Sequence, residues 1–222
     1  MAHEETTQQE WHALTSDDVL KHLEVHDEGL TTAEAEKRLA HYGPNQLNEA
    51  PRPSFLAILW AQLNSFVVIL LIIASVISAL LGDYVEAAAI MAIVILNAVL
   101  GIVQEQRAEQ ALAALKKLAA PDAQVIRNGV RTSVPSYNLV PGDIVFLEAG
   151  NFIPADLRLL EAVNLRVEEA SLTGESLPVQ KNAVTVLEKN VPLGDRKNTA
   201  FMGTIVNYGR GRGVVTSTGM HT

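Results

Sequence analysis

The sequence predicts an α+β membrane protein in three parts: a helical module, a two-helix transmembrane hairpin and an all-β domain of the sandwich or distorted jelly-roll kind. Three observations predict it. Residues 53–82 and 87–104 carry no charged side chain, and a crossing needs ~20 apolar residues. From Ala123 onward the pattern changes to short alternating runs punctuated by Gly and Pro, the spacing of a small β domain. Ahead of both lie two short stretches, each with a helix start signal. Composition narrows the rest. The 222 residues have a formal net charge of −8 and no cysteine. That excludes a basic nucleic-acid surface, disulfides and thiolate metal sites. Met1–Glu10 is polar and has no apolar centre, so no signal peptide is expected.

The helical module is assigned to residues 1–52. Thr15 and Thr31 each stand three residues before an acid, Asp18 and Glu34, the spacing of a capping box. The first helix turns Val19, Leu20 and Leu23 inward. The second runs from Thr32 to Tyr42 with Ala35 and Leu39 inside, and Gly43-Pro44 stops it. His22, His26 and His41 lack ligand spacing, so no metal site is expected.

The hairpin and its cytosolic helical extension occupy residues 53–120. The first apolar segment centres on Val67–Ile73; Trp60, Gln62, Asn64 and Ser65 make its start more polar, so its buried part begins near Phe66. Asp83, Tyr84 and Glu86 form a short acidic connection to the second segment, Ala87–Gln104. Two segments joined this closely are antiparallel. Arg52 precedes them, and Arg107, Lys116 and Lys117 follow, so both ends are expected in the cytosol. The alternative is a buried core hairpin in a soluble protein. Asn97 and Gly101 are positions for close helix contact. The second helix continues past the bilayer, with Ala111, Leu112, Leu115 and Leu118 on one face, until Pro121 ends it.

In the β domain, 121–222, Gln124–Arg127 and Val130–Val134 flank Asn128-Gly129, a hairpin turn signal. Ile144–Leu147, Asp156–Leu160, Val163–Val167 and Val184–Leu187 read as further strands. Asp143 and Asp156 are expected to satisfy backbone donors in turns. Gly209, Gly211, Gly213 and Gly219 lack the lysine and the strand–loop–helix context of a phosphate loop. Between Val163–Val167 and Val184–Leu187 lies Ser171-Leu172-Thr173-Gly174-Glu175-Ser176, a small polar loop with one carboxylate. Gly174 lets its backbone pass close to a partner, and Glu175 can take a proton from a held water. By itself such a loop reads first as a surface turn with a solvated glutamate.

That loop, followed by Pro178, resembles the actuator signature of P-type cation-transporting ATPases. Val140-Pro141-Gly142-Asp143, Ile153-Pro154-Ala155-Asp156 and Phe201-Met202-Gly203-Thr204 are similar to landmarks of the same domain. The run from Gly29 to Asn45 looks like the N-terminal domain of type II, calcium-pump-like members. The resemblance covers nearly the whole chain, as an N-terminal fragment. It implies that Glu175, Thr173 and Gly174 serve hydrolysis of an aspartyl phosphate, with Ser171 and Ser176 shaping the loop. It implies that the helix leaving the membrane acts as a lever. The family's phosphorylated Asp-Lys-Thr-Gly-Thr is absent here, so ATP and Mg²⁺ are expected to bind the full-length protein elsewhere, no ATP or metal residue is assigned to this stretch, and the fragment alone should be inactive. The implied partners are the lipid bilayer, the phosphorylation and nucleotide-binding domains of the same chain, and the transported cation, with no nucleic acid. The implied location is a multi-pass plasma or inner membrane protein with its N-terminus and actuator cytosolic. The ion stays open among Ca²⁺, Na⁺, K⁺ and H⁺, because the family's ion-binding carboxylates lie outside this stretch. Gln62, Asn64 and Ser65 stand where some animal calcium pumps carry acids, so their ion-entry path does not carry over directly. The rival reading is a non-enzymatic, membrane-anchored β-domain adaptor.

Overall fold

In the computed structural model, which describes residues 9–48, 54–119 and 122–222, Thr15 and Thr31 cap α1 (Ser16–His22) and α2 (Thr32–Tyr42). Each hydroxyl accepts the amide three residues on, Asp18 N and Glu34 N, both at 3.2 Å. Gly43 ends α2 with φ 78°, a conformation that favours glycine. The described residues form two compact units, 9–48 with 122–222, and 54–119.

In the first unit the apolar faces of the helices find their partner on a sheet. Val25, Leu30 and Ala35 share one core with Val140 and Ile144, flanked by Leu20, Leu23, Leu39, Ile126 and Leu160. Arg38 donates to Pro141 O at 2.9 Å, and the Asn45 amide donates to Ser136 O at 3.0 Å and Pro154 O at 2.8 Å. The sheet is antiparallel, in the order β2-β1-β3-β7-β4-β5, with β6 also on β4. Its strands are β1 (Asp122–Arg127), β2 (Val130–Pro135), β3 (Ile144–Glu148), β4 (Asp156–Glu168), β5 (Val179–Gln180), β6 (Thr199–Ala200) and β7 (Ile205–Ser217). Asn128 and Gly129 join β1 to β2 with φ 53° and 73°, the left-handed pair that a two-residue hairpin turn requires. The opposite face of β3 and β4 carries the main core, with Val145, Leu147, Leu157, Leu159, Leu165 and Val167 buried against Val125, Val206 and Val215. Alternation along β3 thus feeds two cores, Ile144 into one and Val145 into the other.

Two strand readings change. The runs at 156–160 and 163–167 form one 13-residue strand, β4, bent by register shifts against β7. Val184–Leu187 is not a strand. Asn182 Oδ1 accepts Val184 N at 3.0 Å, turning the chain out and leaving Val184 exposed. Leu187 N then bonds His12 O at 3.1 Å and Thr185 O accepts the Asn198 side-chain amide at 2.8 Å, so this segment spends these backbone groups on the N-terminal turn and a side chain rather than on a ladder.

The second unit holds α3 (Phe55–Leu63), α4 (Phe66–Leu81) and α5 (Tyr84–Ala119). The first apolar segment is therefore two helices, bent by 68° at the break. Asn64 closes α3, and Ser65 is extended, where the sequence turns polar between two apolar runs. The acidic connection is also shorter than its charges suggest. Gly82, with φ 93°, ends α4, and Tyr84 and Glu86 already belong to the first turn of α5. Glu86 there lies at the favourable end of the helix dipole. Ser75 Oγ donates to Ala87 O at 3.0 Å, and the Gln62 carboxamide fills the space beside Gly101, so α5 runs back along α4 and α3. Tyr84–Leu112 is long and apolar enough to cross a membrane; Ala57–Leu63 with Phe66–Leu81 makes a second crossing if the bent pair is one span. Leu80, Leu81 and Val85 are among many large apolar side chains left exposed.

Candidate functional site

The polar loop is the connection between β4 and β5, which pair through Val167–Val179 and Arg166–Gln180. Beyond Glu168 the chain makes a single helical turn, α6 (Ala170–Thr173). The carbonyl of Glu169 holds that turn together, accepting Leu172 N at 2.9 Å, Thr173 N at 3.0 Å and the Thr173 hydroxyl at 3.2 Å. Gly174 N bonds Ala170 O at 3.0 Å, and Gly174 ends the turn with φ 75°. A side chain there would meet nothing within 4 Å. Glycine is thus needed for its backbone angle, while the face above it lies open to an approaching group.

Thr173 and Glu175 are coupled. The Thr173 hydroxyl that donates to Glu169 O also accepts Glu175 N at 3.3 Å. Its methyl packs against Gly194, in the turn Leu193–Asp195, where an added Cβ would come within 2.9 Å of it. Glu175 itself is exposed and has no ion-pair partner among the described residues. Ser171 and Ser176 are exposed, and their side chains make no hydrogen bond among the described residues. Thr173, Gly174 and Glu175 are therefore brought together on one turn, with the two serines at its margins.

Beneath the loop lies a feature that sequence reasoning missed. Glu169 and Lys181 are both buried, with Lys181 Nζ 2.5 Å from Glu169 Oε1. Burial pushes the Glu169 carboxyl up, opposed by Lys181, and pushes the Lys181 ammonium down, opposed by Glu169. Lys181 Nζ also lies 5.5 Å from the centre of the Phe201 ring and 3.5 Å from Arg196 O. A signal existed: Glu169 continues the every-second-residue spacing of the buried Leu165 and Val167 one step past the end of β4, and Lys181 does the same one step past β5. Charged residues beside a polar loop read more simply as solvated.

The aspartates lie elsewhere in the domain. Asp143 accepts Val140 N at 3.0 Å and a two-pronged contact from Arg127 at 2.9 and 2.7 Å. Asp156 accepts Met202 N at 2.9 Å. Asp143 closes its own turn, as expected for its type, whereas Asp156, at the start of β4, reaches across to a backbone donor in the turn at Met202.

The β unit with this loop matches the model of the P-type ATPase actuator domain over residues 117–222, and residues 11–78 match that of the cation transporter/ATPase N-terminus. The chain belongs to the P-type cation-transporting ATPases. A relative from this family, "Calcium-transporting ATPase 1" of Bacillus cereus, is 49% identical over 96% of the chain and 24% of its own length. "Calcium-transporting ATPase" of Bacillus subtilis is 49% identical over 88% of the chain and 22% of its own length. "Sodium/potassium exporting P-type ATPase cta3" of Schizosaccharomyces pombe is 43% identical over 87% of the chain and 19% of its own length. The chain spans about a quarter or less of these P-type ATPases.

Proposed function

We propose that this chain is the N-terminal part of an ATP-driven cation pump and that its loop triggers hydrolysis of an aspartyl phosphate formed elsewhere in the same protein. The observation that carries this is the Gly174-ended turn, which holds the Glu175 carboxylate out on an open face while its backbone is tied to Thr173. A water oriented by Glu175 attacks phosphorus, the bond to the aspartyl oxygen breaks, and the proton passes to the Glu175 carboxylate. Inorganic phosphate and a free aspartate result. Thr173 and Gly174 fix the turn; Ser171 and Ser176 shape its margins.

ATP and Mg²⁺ supply the phosphoryl group and its charge neutralisation in the full pump. Among the described residues no three His, Cys, Asp or Glu side chains are grouped to hold a metal, so no step is assigned to Mg²⁺ on this chain. In this reading residues 1–52 are the helical module, 53–120 a transmembrane hairpin with its extension, and 121–222 the actuator, a distorted jelly roll. The helices cross a plasma or inner membrane with the N-terminus and actuator cytosolic, and α5 carries actuator movement into the bilayer. The names of the two Bacillus relatives support calcium as cargo. Gln62, Asn64 and Ser65 leave the start of this path without acidic side chains.

Glu175→Gln in the full pump tests the reading, because it keeps size and docking but removes the base. Phosphoenzyme should form normally from labelled ATP, and its ADP-insensitive form should decay slower by a factor of about 10² to 10⁴. Decay at the wild-type rate would make Glu175 an ordinary loop residue.

A further inference from the structure

We infer that Glu169 and Lys181 are positioning residues for the loop, holding the Glu175 carboxylate in register through the Glu169 carbonyl and the Thr173 hydroxyl. This rests on the role proposed for Glu175. The chain of contacts is continuous. Lys181 is fixed by its backbone, whose amide bonds Leu165 O at 2.9 Å, and by its ammonium, set between Phe201 and Arg196 O. That ammonium draws the Glu169 side chain into the interior. With its side chain held there, the Glu169 carbonyl faces the turn and takes three donors, one of them the hydroxyl that accepts Glu175 N. No other group among the described residues pairs with the Glu169 carboxylate.

Stability alone is a poor reason for such a pair. Two buried charges lose hydration that their attraction only partly returns, and a matched apolar pair is often as stable. An ion pair differs from an apolar pair in direction: it fixes where both side chains, and so the attached backbone, must lie. The loop needs that direction, because β5 offers it only a two-residue ladder and no side chain packs over Gly174, where an added Cβ would meet nothing within 4 Å. A catalytic carboxylate displaced by about 1 Å loses up to about a hundredfold in rate.

The test uses the full pump with Lys181→Met, the neutral pair Glu169→Gln/Lys181→Met, and each of these combined with Glu175→Gln. Phosphoenzyme level and KM for ATP are measured first, then decay of the ADP-insensitive form. Both variants should form phosphoenzyme at the wild-type level and KM, and lose it about ten- to a hundredfold more slowly. Added to Glu175→Gln, neither should slow decay further, because the pair acts only through Glu175. The neutral pair guards against misfolding, since it leaves no unpaired buried charge. Wild-type decay in the neutral pair would show that packing suffices and would overturn the proposal. Additional slowing on top of Glu175→Gln would also overturn it, as would failure of both variants to form phosphoenzyme, which marks a folding element. Wild-type decay in Glu175→Gln itself would instead remove the role of Glu175, and this proposal with it.

Discussion

Asp156 accepts the Met202 amide from a site largely withdrawn from water, and that withdrawal raises its carboxyl above the ordinary range, against the pull of the Met202 amide and Arg196. A carboxyl raised on folding favours the native state below its unfolded pKa, and the advantage is lost as pH rises through the folded value. Asp156→Asn keeps an acceptor oxygen for Met202 and does not titrate. Its melting temperature relative to wild type should therefore be greatest at pH 7 and decline as the pH falls through the acid range. Thermal unfolding at several pH values checks this; a difference that grows on acidification would contradict it. Arg158 solves a harder version of the same problem. Fully buried, with burial pushing its pKa down to about 10, it remains charged at neutral pH. It donates to carbonyls rather than to a carboxylate: Leu159 O at 2.6 Å, Ala183 O at 3.0 Å, Asn198 O at 3.3 Å and Leu14 O at 3.0 Å. A planar fork reaches several acceptors at once, so this one side chain ties the N-terminal turn to the sheet.

Strand β7 shows what glycine does when no turn is involved. A Cβ on Gly211 would stand 2.5 Å from Glu161 O, a backbone atom of the neighbouring β4. The two strands can lie this close only because the position is bare. Gly211→Ala should destabilise the protein by about 1–3 kcal/mol, the usual cost of overpacking, measured as a shift in thermal or denaturant unfolding. Gly101 provides the contrast. Its added Cβ would meet only the end of the Gln62 side chain, which can swing aside, so Gly101→Ala should cost less than Gly211→Ala. The break between α3 and α4 is likewise a property of an element: two polar residues, Asn64 and Ser65, interrupt an apolar run that composition alone treats as continuous.

At the scale of the whole molecule, the proposed topology places Asp83 outside the membrane and the actuator inside. The 222 residues contain no cysteine, so single reporters can be introduced cleanly if the remainder of the pump is made cysteine-free. Asp83→Cys in intact cells should react with a membrane-impermeant maleimide, and Asn190→Cys only after permeabilisation. Reaction of Asn190→Cys alone would reverse the orientation argued from the basic flanks, and reaction of both would contradict a membrane crossing between them.

The sequence by itself determined whatever neighbouring residues settle among themselves. Thr15 and Thr31 cap their helices, Asn128-Gly129 makes its turn, Gly43 and Gly82 end theirs, and the uncharged runs become helices, the first of them broken at Asn64-Ser65. The loop around Gly174 was legible for the same reason, since its turn closes on atoms at most four residues apart. Only tertiary structure decided that α1 and α2 cover the second face of the sheet, that Val184–Leu187 bonds to His12 instead of a strand, and that Glu169, Lys181 and Arg158 are buried. Those outcomes depend on partners brought together from far along the chain. A charged side chain is written the same way whether it faces water or an ion-pair partner, and packing alone determines which of the two it meets.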